Sequence, residues 1–172
     1  MPVEHLLVDG YNAVHGWPSL KAVLLREGLE ASRRRLVELL ADYAAVREVE
    51  ITVVFDAHAR RPGADLPQRV GAVTVRFGDT HNSADHVIER LCSEAAQGGS
   101  AGNYVVATSD RLHREMVSAM GVVTMATTTL EAEVMRAAGE VGEHAARLRA
   151  EARPGRAVEH GLSDEVRGRL ER

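Results

Sequence analysis

Five short runs rich in β-branched residues, VEHLLVD (3–9), EITVVFD (50–56), GAVTVRF (71–77), NYVVATSD (103–110) and GVVTMA (121–126), are separated by longer stretches of helical period. Those stretches cover 20–46, 83–97, 110–120 and 129–141, and in the first of them Leu29, Leu36, Leu40 and Tyr43 recur at the spacings of one helix face. Strands that alternate with helices pair in parallel, through crossovers, and the order predicts an α/β fold with a mostly parallel central sheet and helices on both sides. The second, fourth and fifth runs are apolar with little alternation, as strands buried on both faces are. The third alternates Val73, Val75 and Phe77 with Ala72, Thr74 and Arg76, which predicts an edge strand.

A chain of 172 residues fits one domain and can bury about two-thirds of the surface its unfolded form exposes. ARRPGADLPQR (59–69) has two prolines, a glycine and no period, and is predicted as a surface loop. After about residue 142 the chain becomes densely charged and is interrupted by Pro154-Gly155. The expected organisation is therefore a domain over 1–141 and a charged helical extension over 142–172, with Ser163 as N-cap of a short terminal helix.

The single cysteine, Cys92, excludes an internal disulfide and a cysteine zinc cluster, and its neighbours Val87, Ile88 and Leu91 place it in the core. No membrane span or signal segment is visible, so a cytoplasmic protein without a membrane partner is expected. A net charge of −4 argues against a domain that grips nucleic acid by bulk positive charge.

Four aspartates follow one rule. Asp9 ends the first run, Asp56 the second and Asp110 the fourth, while Asp85 stands in the first turn of the helix after the third. Open parallel sheets bind ligands beyond the carboxyl ends of their strands, so the four acids are expected to converge on one edge. Two carboxylates at 4 Å repel by about 4 kcal/mol at an effective dielectric constant of 20. A divalent cation is the economical counter-charge, and an all-oxygen set favours Mg²⁺ or Mn²⁺ over zinc. Each acid also has a plainer role as turn former or helix cap. Asp9 stands apart, because VDGYN offers it no helix to cap at once.

At the same edge Asn12, three residues past Asp9, either holds the Asp9 carboxylate or a metal-bound water or is a turn residue, while Ser83, and Ser109 beside Asp110, either cap a helix or bond a phosphate. Glu89, one turn after Asp85, either extends the acidic cluster or pairs with a surface arginine. His5, His15, His58, His81, His86 and His113 lie near strand ends or in first turns without zinc spacing. His58 and His81 are either substrate contacts or simply exposed.

The stretches LLVDGYNAVH, ITVVFDAH, T-x-x-S-A-D-x-x-I-E (Thr80 to Glu89) and V-x-A-T-S-D (Val105 to Asp110), in that order, resemble the NYN domain of the PIN-like nuclease superfamily, in length and order its YacP-like branch. The likeness covers residues 3 to about 140. It implies a PIN-like, Rossmann-like α/β/α arrangement and a metal-dependent RNA endonuclease, of a branch that includes ribosome-associated enzymes cutting messenger RNA. Carried over by position, Asp9 and Asp85 are the leading metal-site residues, Asp56 and Asp110 complete the acidic set, Asn12 matches the family's asparagine, and Ser83 and Ser109 are supporting.

The reaction expected is phosphodiester hydrolysis with one or two Mg²⁺ or Mn²⁺ ions on Asp9, Asp85 and Asp110, and Asp56 as an outer ligand or orienter. Gly10, lacking a side chain, leaves room for close approach of its backbone. Arg60, Arg61, Arg69, Arg111 and Arg114 are expected near that edge to hold the RNA backbone, and Tyr11 or Trp17 either stacks a base or packs in the core. The chief alternative is a catalytically inert RNA- or ribosome-binding module of the same fold. A phosphotransferase with Asp9 as nucleophile lacks its D-x-D-x-[TV] pattern, and no phosphate-binding P-loop is present.

Overall fold

The computed structural model describes residues 5–57 and 68–152. Its sheet has six strands: β1 (His5–Asp9), β2 (Glu50–Phe55), β3 (Gln68–Val70), β4 (Val73–Phe77), β5 (Tyr104–Ala107) and β6 (Val123–Met125), in the spatial order β3-β4-β2-β1-β5-β6. All neighbours pair in parallel except β3 with β4. The helices are α1 (Gly10–Gly16), α2 (Pro18–Glu27), α3 (Leu29–Arg47), α4 (Ala84–Gln97), α5 (Arg111–Ala119) and α6 (Thr127–Glu151), with a short 3₁₀ turn at Ala101–Asn103. The three-layer α/β class expected from the sequence is the fold observed.

Alternate residues of the central strands serve different layers. Leu6 and Val8 of β1, Ile51, Val53 and Phe55 of β2, and Val105 and Ala107 of β5 pack with Ala13 and Val14 of α1, Leu20 of α2, Leu36 and Leu40 of α3, and Leu130 and Val134 of α6. Leu7, Val54 and Val106 face the other way, onto Val87, Ile88 and Cys92 of α4 and Val117 of α5. Both faces are covered, which is why these runs carry little polar alternation. Cys92 is core as expected, and burial above all, then the Glu89 charge, pushes its thiol up to about 11.

Four local expectations are corrected. The third run is not the edge: β4 lies between β2 and β3, because Gly71, at φ +58°, turns the chain so that Gln68–Val70 folds back antiparallel on it. The end of the expected loop 59–69 is therefore strand. The helical stretch 20–46 is two helices, since Gly28 at φ +89° and ψ 176° adopts a backbone open essentially to glycine alone and ends α2. Finally, the turn expected after Asp9 is the helix α1.

The chain divides into two units, residues 1–138 and 139–172. The described part of the second is the last portion of α6 and Ala152. Ser163 and Pro154-Gly155 lie outside the described residues, and among those described no helix is long and apolar enough to cross a membrane.

Candidate active site

From β1 the chain builds outward on one side to β2 and β4 and then returns to the other side as β5, so the strand order reverses between β1 and β5. Asp9 closes β1 at this reversal and is 5% exposed. It is the N-cap of α1: Oδ1 accepts from the Asn12 backbone N–H at 3.0 Å and Oδ2 from Asn12 Nδ2 at 2.6 Å. Asp9 thus does have a helix to cap, contrary to the sequence reading, and the cap fixes its carboxylate. The same Asn12 side chain accepts at Oδ1 from the Ser109 backbone N–H at 3.1 Å, bridging the end of β1 to the loop after β5. Ser109 Oγ lies 2.7 Å from Thr127 Oγ1 at the start of α6, so its hydroxyl is engaged in anchoring that loop.

Two further acids act on Asp9. Burial raises its carboxyl above the usual range; the Asn12 backbone bond opposes this, the Asp85 charge adds to it, the Asn12 side chain opposes, and the Asp56 charge adds again. Asp56, directly after β2, accepts at Oδ1 from the Ala84 backbone N–H at 2.8 Å and so ties the adjoining strand end to the start of α4. Asp85 follows in that first turn, 45% exposed at its side chain. Asp110 caps α5, accepting from the His113 backbone N–H at 3.2 Å, and its residue is exposed. Ser83 caps α4 through the His86 N–H at 3.4 Å. For Asp110 and Ser83 the capping role is thus present, and the charges that bear on Asp9 are those of Asp85 and Asp56.

Beside the acids lies an aromatic and cationic group. The Arg33 guanidinium sits 5.0 Å from the Phe55 ring centroid and 4.9 Å from that of Phe77, at the carboxyl ends of β2 and β4. Tyr11 meets Phe55 edge-on at 6.0 Å and stacks on His15 at 5.9 Å. Burial above all raises the Tyr11 hydroxyl, the Arg33 charge pulls it down and the Asp56 charge pushes it up. Gly10 does not open the edge to close approach, because it is buried under Phe55: a Cβ there would stand 2.3 Å from a ring carbon. Trp17 is wholly buried and donates from Nε1 to the Thr127 carbonyl at 2.7 Å, which settles it as core.

The expected arginines scatter. Arg69 belongs to β3 and meets Glu50, at the opposite end of β2, at 3.2 Å, so it is not at the acidic edge. Arg111 opens α5 and pairs with Glu115 at 2.9 Å, and Arg114 is half-buried on the same helix. Arg60, Arg61 and His58 lie outside the described residues. His81 is exposed, and its backbone N–H donates to Asp79 at 2.7 Å. Bonds from His81 and Asn82 hold the Asp79 carboxyl below the usual range. Arg33 and Asp79 were not singled out from the sequence, although Arg33 falls on the apolar stripe between Leu29 and Leu36 and was legible there as a cation out of place.

Among the described residues, no three acidic, histidine or cysteine side chains already surround one point as a closed cage. The donor set nevertheless fits a hard cation: Asp9 and Asp85 are carboxylates close enough for their charges to act on each other, and Mg²⁺ keeps several waters while taking one or two carboxylates plus substrate phosphates.

These features, a mostly parallel α/β/α sheet with a buried acid at its switch point, define a PIN-like, nuclease-type fold. The chain belongs to the family of the YacP-like NYN domain, whose model matches residues 6–172. It is similar to YacP of Bacillus subtilis (strain 168), 33% identical over 132 residues that make up 77% of this chain and 75% of that protein. Crystal structures of Rae1 (YacP) from Bacillus subtilis superpose with a TM-score of 0.71. One is 30% identical and covers 86% of this chain and 83% of that one. The other, of a single-substitution variant, is 29% identical and covers 87% and 86%.

Proposed function

We propose that this chain is a divalent-metal-dependent endoribonuclease that hydrolyses RNA phosphodiester bonds, with messenger RNA on the ribosome as its substrate and the cytoplasm as its place of action. The observation that carries this reading is the buried Asp9 carboxylate at the β1–β5 reversal, raised by burial and by the charges of Asp85 and Asp56. A buried carboxylate on which two further acids act is stabilised in its charged form by a bound cation.

Asp9 and Asp85 would hold Mg²⁺ or Mn²⁺, joined by Asp110 through the carboxylate oxygen its helix cap leaves over. Bound there, the ion supplies charge stabilisation at a phosphoryl oxygen and acidifies a water. Asn12 keeps Asp9 in one orientation, and Asp56, tied to Ala84, fixes the distance between the β2 end and the turn that carries Asp85. Arg60, Arg61 and Arg111 would meet the RNA backbone, and Ser83 and Ser109 support the loops between. The domain over 1–141 carries this chemistry in the reading, with 142–172 as a charged extension to it. With a net charge of −4, the protein depends on a larger assembly to present its RNA.

The test is cleavage of a translated, ribosome-bound RNA with Mn²⁺ or Mg²⁺ by the parent, Asp9→Asn and Asp85→Asn. Metal-dependent cuts made by the parent and lost in both variants support the reading. A parent that sediments with ribosomes and cuts nothing supports the inert binding module instead.

A further inference from the structure

The His113 side chain is 2% exposed, and neither ring nitrogen closes a hydrogen bond within the protein. A buried polar ring left this way demands a reason. Its Nδ1 lies 3.2 Å from Asp85 Oδ1, off the line of a hydrogen bond, and its Nε2 lies 3.8 Å from Glu89 Oε1. The two acids are one turn apart on α4, whereas His113 comes from α5, so the imidazole is wedged between successive carboxylates of the neighbouring helix. Its own backbone is pinned, because the His113 N–H donates to the capping Asp110 at 3.2 Å. Asp85 is the less enclosed partner, with its side chain 45% exposed against 23% for Glu89.

We infer that His113 is a positioning residue for the acidic centre: carrying its proton on Nδ1, it donates to Asp85 and holds that carboxylate turned toward Asp9. The inference rests on the reading of Asp85 as a metal-holding acid, and it explains why a histidine is buried at the junction of α4 and α5. Such an outer partner restricts a ligand's orientation, and its loss typically weakens metal binding about 10–100-fold.

Asparagine and glutamine separate the two contacts, since the amide nitrogen of asparagine reproduces the place of Nδ1 and that of glutamine the place of Nε2. Mn²⁺ affinity is measured by calorimetry on the full, RNA-free chain, with the melting temperature recorded for each variant. His113→Leu is expected to weaken binding about 10–100-fold, His113→Asn to restore it to near the parental value, and His113→Gln to leave it weak. Should the leucine variant fail to fold, the asparagine–glutamine pair still decides. Parental affinity in a folded His113→Leu, or equal rescue by asparagine and glutamine, would overturn the inference. A parent that binds Mn²⁺ with this variant pattern yet cuts no RNA upholds the positioning role and overturns the nuclease reading; a parent that binds no Mn²⁺ overturns both.

Discussion

Gly10 and Phe55 share one volume, for the ring occupies the space where a Cβ on residue 10 would be. Gly10→Ala is therefore expected to cost about 1–3 kcal/mol through overpacking, with a correspondingly lower melting temperature. Much of the loss should be recovered in a Phe55→Leu background, because residues in contact are not additive. Asp9 makes a second prediction at this scale. Its carboxyl is raised above the ordinary aspartate value of 3.8, chiefly by burial. The folded state thus binds the proton more tightly than the unfolded one, and stability is fully present below that value and lost as pH rises through the raised one. Urea unfolding of the metal-free protein across this acid range should show that fall, and Asp9→Asn should flatten it. Single residues were unevenly legible in the sequence. The position of Asp9 could be read, because a carboxylate ending an apolar run is a conspicuous break of pattern. Its partner Asn12 could be read as well, from the spacing of three, whereas the helix that Asp9 caps could not, because α1 begins at the residue directly after the strand. Arg33 was visible as a cation on an apolar stripe, but the rings it stacks against come from β2 and β4, which sequence spacing does not connect to α3.

Elements were easier to recognise than their limits. Long amphipathic stretches and Val-rich runs declare themselves by period, and α4, α5, β1 and β2 fall where the pattern puts them. The seven-residue α1 is too short to show a period, and its cap is the last residue of a strand, so it read as a turn. β3 is three exposed residues whose strand state comes only from pairing with β4. Gly28 is the punctuation that separates α2 from α3. At φ +89° and ψ 176° it holds a backbone that a side chain disfavours, so Gly28→Ala is expected to destabilise by about 1–3 kcal/mol without changing the acidic site. Thermal unfolding alongside an activity assay checks both halves of that statement.

At the scale of the whole molecule, one topological event organises the rest. The chain leaves β1 toward β2 and comes back to β5 on the other side, and the resulting crevice is where Asp9, Asn12 and Ser109 lock together across the gap. Helices on opposite faces then deliver what strands alone do not: α3 brings Arg33 from one side, and α4 brings Asp85 from the other. That Asp9 and Asp56 stand at the carboxyl ends of parallel strands was legible from the α/β order. Which acids act on one another was not, since that depends on distances between turns far apart in sequence. The central claim is that this crevice holds a divalent ion and cuts RNA with it. Its most direct test is cleavage of RNA by protein first stripped with a chelator and then resupplied with Mn²⁺, comparing the parent with Asp9→Asn, a substitution that keeps a competent helix cap. The account predicts that cutting stops on chelation, returns with Mn²⁺ in the parent, and is slower by at least about 100-fold in a folded Asp9→Asn, beyond the usual effect of losing an outer partner. Cutting that persists under chelation, or a folded Asp9→Asn that cuts at the parental rate, would contradict it.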